Sequence, residues 1–129
     1  MAFSIARHPG MDLLVVRGQG DGSLAESFEL LAALESQVLL PRAFGVIFDL
    51  RELAYIPSPA DAREIAQRYG TAGALQGWRM AYVAPPGAQY GVARMVEMLS
   101  QQYGVIAGTF TSLELALAWF AAAPRPRSP

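Results

Sequence analysis

The 129-residue sequence predicts an α/β domain with a five-stranded, mixed but mostly parallel sheet flanked by four helices. Three observations predict it. Strand-like and helix-like stretches alternate in the order β-β-α-β-α-β-α-β-α, which indicates a sheet with helices packed on its faces. The first two strand stretches are joined by a short Pro9–Gly10 turn, so the opening strand runs antiparallel to its neighbour. The run "FGVIFDL" is almost continuously apolar and β-branched, as suits a strand covered on both faces.

The elements follow in order. "FSIA" and "LLVV" are the opening hairpin. "SLAESFELLAALESQVLL" is the first helix: Ser23 and Glu26 fit a capping box, and Leu24, Phe28, Leu31, Leu34 and Val38 recur at helical spacing. "FGVIFDL" is the third strand. In "IPSPADAREIAQRYG", Ser58 caps the second helix, Pro59 suits its first position and Asp61 lies in its first turn. Ala62, Ile65, Ala66 and Tyr69 mark its inner side. "WRMAYVA" is the fourth strand. "QYGVARMVEMLSQQYG" is the third helix, with Val92, Met95, Val96, Leu99 and Tyr103 on one side. "VIAGTF" is the last strand. Thr111 and Glu114 cap the last helix, whose stripe is Leu113, Ala116, Leu117 and Phe120.

Residues 1–123 therefore read as one domain and residues 124–129, "PRPRSP", as a flexible tail. Right-handed crossovers place the ends of the parallel strands along one edge. "RELAYIPSP", "APPGAQYG" and "GTFTS" meet there, where open α/β sheets bind ligands.

Composition removes several functional classes. Net charge is -1, with no basic excess to hold a nucleic-acid backbone or an anionic membrane. The chain has no cysteine, which excludes disulfides, thiolate catalysis and cysteine-ligated metal centres. His8 is the single histidine and has no second imidazole or thiolate for a zinc site. No serine is accompanied by an evident base and orienting acid. The expectation is no cofactor, no metal and no catalytic set. The first residues lack a secretory signal pattern, and no apolar run is long enough to span a membrane. A cytoplasmic location is expected.

Two long stretches carry a family resemblance. "VIFDLRELAYIPSPADAREIAQR" resembles the central segment of STAS domains, the fold of the sporulation anti-sigma-factor antagonists. "YVAPPGAQYGVARMVEML" with "GVIAGTFTSLELALAWF" is similar to the second half of the SpoIIAA-like, or STAS/SEC14-like, family of small bacterial proteins. The resemblance implies a non-enzymatic regulatory or binding module. Its partner would be a protein or a small apolar or anionic molecule. A lipid-like carrier, as in SEC14-like domains, is the main variant, and a small enzyme is the reading from a different class.

Eight residues are singled out. Ser58 stands roughly where antagonists of this fold carry a phosphorylated serine, but "IPSPAD" departs from their local pattern, and with Pro59 next to it Ser58 reads first as an ordinary helix cap and second as a phosphorylation site. Asp49, in "FDLRE", faces the ligand edge if it ends its strand, or ties down the following turn. Tyr90 and Arg94 share a helix face one turn apart and offer a ring beside a charge. They read either as a ligand site or as scaffold, with Arg94 paired to Glu97 or a loop acid. Gly87 permits close approach at the start of that helix. Trp119 and Leu115 widen the apolar arc of the last helix. With Met98 they suggest either a broad core contact or the interface of a homodimer.

Overall fold

The computed structural model describes residues 2–37 and 45–123. Among them the chain runs β1 (Phe3–Arg7), β2 (Leu13–Gly20), α1 (Leu24–Gln37), β3 (Gly45–Leu53), α2 (Pro59–Gly70), β4 (Arg79–Val83), α3 (Ala88–Ser100), β5 (Ile106–Phe110) and α4 (Leu113–Ala122). Short 3-10 turns follow α2 and α3. The element order is the expected one. Val38, Phe44 and the expected tail at 124–129 lie outside the described residues.

The sheet order is β1-β2-β3-β4-β5, with β1 antiparallel to β2 and every later pair parallel. This sequential order decides the layers. Each crossover steps in the same direction and each is right-handed, so the three connecting helices must lie on one face. Only α4, which follows the last strand, is free to cover the other.

The core divides accordingly. On the first face Phe3, Leu14, Val16, Val46, Phe48, Met80 and Tyr82 pack with Leu30 and Leu34 of α1, Ala62, Ala66 and Tyr69 of α2, and Ala93 and Val96 of α3. On the second face Leu13, Ile47, Ala81 and Val83 pack with Ala116 and Phe120 of α4. Phe48 is the hub of the first face. It stacks on Tyr82 at 5.4 Å between centroids and meets Tyr69 edge-on at 5.8 Å, the offset and T-shaped geometries that ring quadrupoles favour.

Three helix readings shift on inspection. The buried stripe of α1 is Ser27, Leu30, Leu31 and Leu34, while Leu24 and Phe28 are only half-buried. Ser27 can enter the core because its hydroxyl donates to the Ser23 carbonyl at 3.2 Å. Phe28 instead carries the Arg68 guanidinium 4.0 Å above its ring. Ser112, not Thr111, caps α4, its hydroxyl accepting the Leu115 N–H at 3.2 Å. The serine has the extended backbone a cap requires, so the helix begins one residue later than the box pattern suggests. Ser23 caps α1 through the Glu26 N–H at 3.1 Å, but the reciprocal half of the box is not made: Glu26 Oε2 is buried without a partner.

Gly45 begins β3 under α4. A Cβ there would collide with the Phe120 ring edge and lie 2.9 Å from the Arg79 carbonyl oxygen. Gly45→Ala is therefore expected to lower stability by about 1–3 kcal/mol through overpacking. Gly73→Ala, where a Cβ would meet nothing within 4 Å, should leave it within about 0.5 kcal/mol. Urea melts of the two variants check this pair.

Candidate functional site

A cavity of about 80 Å³ opens on the first face of the sheet, between α1, α2 and α3. Its floor is Phe3, Phe48 and Tyr82 of the strands, its walls include Leu30, Tyr69, Ala93 and Val96, and its rim is the partly exposed Leu53, Tyr55, Pro57, Ile65 and Val92. The rim lies where β3 runs on into α2, at the C-terminal edge of the parallel strands, the edge predicted for ligands. Other short loops there are held elsewhere: Ala84 donates its N–H to the Phe110 carbonyl at 2.9 Å.

Among the described residues no charged side chain lines this cavity. The polar atoms on it come from hydroxyls and one amide. Tyr55 Oη donates to Asp61 Oδ2 at 2.9 Å and Tyr69 Oη to the Ser27 carbonyl at 2.7 Å. Tyr82 Oη has a sulfur neighbour, Met80 Sδ, at 4.0 Å, a weak acceptor. Burial pushes the ionisation of all three phenols upward, helped by the carboxylates of Asp61 beside Tyr55 and Glu97 near Tyr82, and by Tyr82 near Tyr69. All three remain neutral donors at physiological pH.

Gln89 supplies the amide. It lies in the first turn of α3 and is 7 % exposed. Its Nε2 sits 3.2, 3.3 and 3.5 Å from the carbonyl oxygens of Tyr55, Leu53 and Leu50. The reason is a mismatch of strand lengths. β3 pairs with β4 only as far as Asp49↔Val83, yet it continues along β2 to Leu53. Beyond Val83 the fourth strand leads into Pro85 and Pro86, which have no N–H to offer. The Gln89 amide stands in for the missing strand neighbour.

The residues singled out from sequence lie elsewhere. Arg94 is exposed and pairs with Glu97, which is 6 % exposed and also accepts from Thr109 Oγ1 at 2.8 Å. Tyr90 is half-buried and packs on the main core cluster. Neither lines the cavity; α3 turns Gln89, Val92, Ala93 and Val96 toward it instead. Asp49 is not at the end of its strand. β3 runs four residues further, and Asp49 sits on the second face in a two-pronged pair with Arg51, both contacts at 2.9 Å. Gly87 caps α3 with φ at +112°, a conformation open to glycine, and a Cβ built there or on Gly91 would approach nothing within 4 Å. The glycine serves the turn rather than a close approach. Ser58 is exposed and caps α2, accepting the Asp61 N–H at 3.1 Å, with Pro59 in the first turn. Trp119 packs on Phe110 and Phe120 within its own chain, while Leu115 and Met98 are exposed.

Sequence reasoning missed the buried polar residues of α3: Gln89, Glu97 and Ser100. Their signal was present in the spacing, since 89, 93, 96, 97 and 100 form one helical stripe once polar residues are admitted to it. Among the described residues no group of three or more His, Asp or Glu side chains is placed to hold a metal, and no helix is long and apolar enough to cross a membrane.

Two outcomes follow from these pairs. Arg94→Ala leaves the buried Glu97 with Thr109 alone, and is expected to cost about 1–3 kcal/mol in thermal or urea unfolding. For Asp49 the Arg51 guanidinium, the largest influence, holds the carboxyl below its usual range against the opposing effect of burial. A depressed folded value stabilises above the unfolded one and is lost as pH falls through it. The stability gap between wild type and Asp49→Asn should thus be about 0.5–1 kcal/mol at pH 7, begin to narrow near the ordinary carboxylate value of about 4, and vanish only below the depressed folded value. Urea melts across that range measure it.

No protein-family model and no curated protein matches the sequence. Solved structures do match. The anti-sigma factor antagonist SpoIIAA in its unphosphorylated form superposes with a TM-score of 0.65 at 13% identity, over 96% of this chain and 100% of that one. An anti-sigma factor antagonist from Mycobacterium paratuberculosis gives 0.60 at 18% identity, over 91% of each chain. A protein of the DUF3478 family with a SpoIIAA-like fold, from Shewanella loihica PV-4, gives 0.59 at 18% identity, over 92% and 91%. These likenesses span nearly the whole of each chain and agree with the strand order found above: this chain has the SpoIIAA-like, STAS-type fold.

Proposed function

We propose that this protein is a non-enzymatic binding module and that its site is the cavity beneath the β3–α2 connection, which takes a small, uncharged, mostly apolar molecule. The carrying observation is the cavity itself: about 80 Å³, walled by aromatic and aliphatic side chains, with no charged residue among the described residues of its lining. That is several times the ~10–15 Å³ one water needs, and about half the ~150 Å³ of an apolar cavity that takes up benzene. It lies on the edge of the sheet where open α/β folds bind ligands. Of the two ligand chemistries expected from sequence, the apolar one finds support here. An anion would meet no cation on this lining.

Likeness to anti-sigma factor antagonists supports the broader reading of a module that works by binding. A small ligand beneath the β3–α2 connection would then alter the surface offered to a protein partner. A homodimer is a second reading, favoured by one feature. β5 is an edge strand, and its exposed Ile106 is accompanied by exposed Leu115 on the following helix. Light scattering at micromolar concentrations tests it, and a mass constant at 13.9 kDa removes it.

For the cavity, thiophene serves as an apolar probe, followed by backbone amide shifts in NMR titration. Saturable shifts confined to cavity residues are expected. Val92→Phe, which projects a ring from the rim, should weaken binding at least tenfold while stability changes by less than about 1.5 kcal/mol. Shifts scattered over the surface, or unaffected by Val92→Phe, would place binding elsewhere.

A further inference from the structure

The amide that ties α3 to β3 has a second end. Gln89 Nε2 faces the carbonyls of Tyr55, Leu53 and Leu50, and carbonyl oxygens only accept. The amide orientation is thereby decided: with the groups exchanged, Oε1 would face three like dipoles and lose every bond. Oε1 is left over. It has no hydrogen-bond partner among the described residues, although Gln89 is more than nine-tenths buried and lines the cavity. Nor is it a side-chain atom sealed away from solvent without a partner, as Glu26 Oε2 is. Gln89 is thus buried on the cavity lining while its Oε1 stays within reach of solvent or a ligand.

Of the remaining polar groups on the lining, Tyr82 Oη faces only the weak acceptor Met80 Sδ at 4.0 Å, and the other three are engaged. The protons of Ser27 Oγ, Tyr55 and Tyr69 go to Ser23, Asp61 and Ser27 respectively. An acceptor held in place by three neighbours, on a wall that is otherwise apolar, is pre-organised for one directional contact.

We infer that Gln89 Oε1 is the polar recognition point of the cavity, and that the ligand is an uncharged molecule with an apolar body and one N–H or O–H donor directed at it. The inference rests on the cavity being a binding site and adds the chemistry of what it selects. A ligand lacking the donor leaves a buried carbonyl oxygen dry, whereas one carrying it replaces the water lost on entry. Gln89 then couples two things. The same amide that receives the ligand donates to Leu53 and Tyr55, whose side chains form the rim, so occupancy polarises and tightens the bonds that hold the rim closed.

The test compares two five-membered rings of similar size, pyrrole with an N–H and thiophene without. Both are titrated into the full chain by NMR, using wild type, Gln89→Met and Tyr82→Phe. Wild type should favour pyrrole over thiophene by at least fivefold more than Gln89→Met does, and Tyr82→Phe should keep the wild-type preference. A direct signature needs no variant: pyrrole, but not thiophene, should move the Gln89 side-chain 13Cδ resonance downfield. This readout decides the matter if Gln89→Met fails to fold. Equal affinities with no 13Cδ shift would overturn the donor requirement and leave the apolar cavity standing. Binding of neither probe would overturn both. A preference lost in Tyr82→Phe but kept in Gln89→Met would move the recognition point to Tyr82.

Discussion

The handedness of the crossovers governs this molecule. Because the five strands lie in sequence order, each right-handed connection lands on the same face, and three helices are committed there before the chain reaches its last strand. The first face becomes a thick layer built on Phe48, Tyr69 and Tyr82, and among the described residues the second is closed by α4. The unequal layers leave different surfaces. Beside α4 the second face carries paired charges, Asp49 with Arg51 and Arg17 with Glu52. Three helices meeting over one twisted sheet cannot fill every gap between them, and the cavity is where α1, α2 and α3 converge above Phe3, Phe48 and Tyr82.

Strand length sets the second constraint. β3 outruns β4 by the residues Leu50 to Leu53, and the fourth strand turns away through two prolines. The carbonyls exposed by that overrun need donors, since an unpaired buried carbonyl costs as much as a lost hydrogen bond. α3 answers with Gln89 in its first turn. Two turns further on it answers a different need, with Glu97 binding Thr109 of β5 and Arg94 of its own helix. The same helix therefore ties the sheet at two points, to β3 through an amide and to β5 through a carboxylate. Its apolar residues between these ties are free to wall the cavity.

This arrangement gives Arg94 and Tyr90 a plain physical account. Arg94 keeps a buried carboxylate from being half-paired, and Tyr90 adds a ring to the edge of the main cluster. Their helical spacing, which made them a candidate pair, is the spacing of any two neighbours on an α-helix. What distinguishes a site from a solvated face is what stands opposite, and opposite Arg94 stands Glu97.

The sequence by itself determined the elements, their order and most of their caps, because these rest on local chemistry. Pro9–Gly10 turns the chain within a few residues, Ser58 reaches the N–H of Asp61 three residues on, and the apolar run at 45–48 can only be covered on both sides. The resemblance in "VIFDLRELAYIPSPADAREIAQR" and "YVAPPGAQYGVARMVEML" pointed to the fold for the same reason, since it is made of those local signals in order. The tertiary structure alone decided which face each helix covers, where β3 ends relative to β4, and which polar side chains are buried. Those outcomes depend on groups more than thirty residues apart in the chain: Gln89 meets Leu50, Leu53 and Tyr55, and Tyr69 meets Ser27. A hydrophobicity pattern assigns polar residues to the outside by default. Only the folded chain shows the carbonyls that bring Gln89 in.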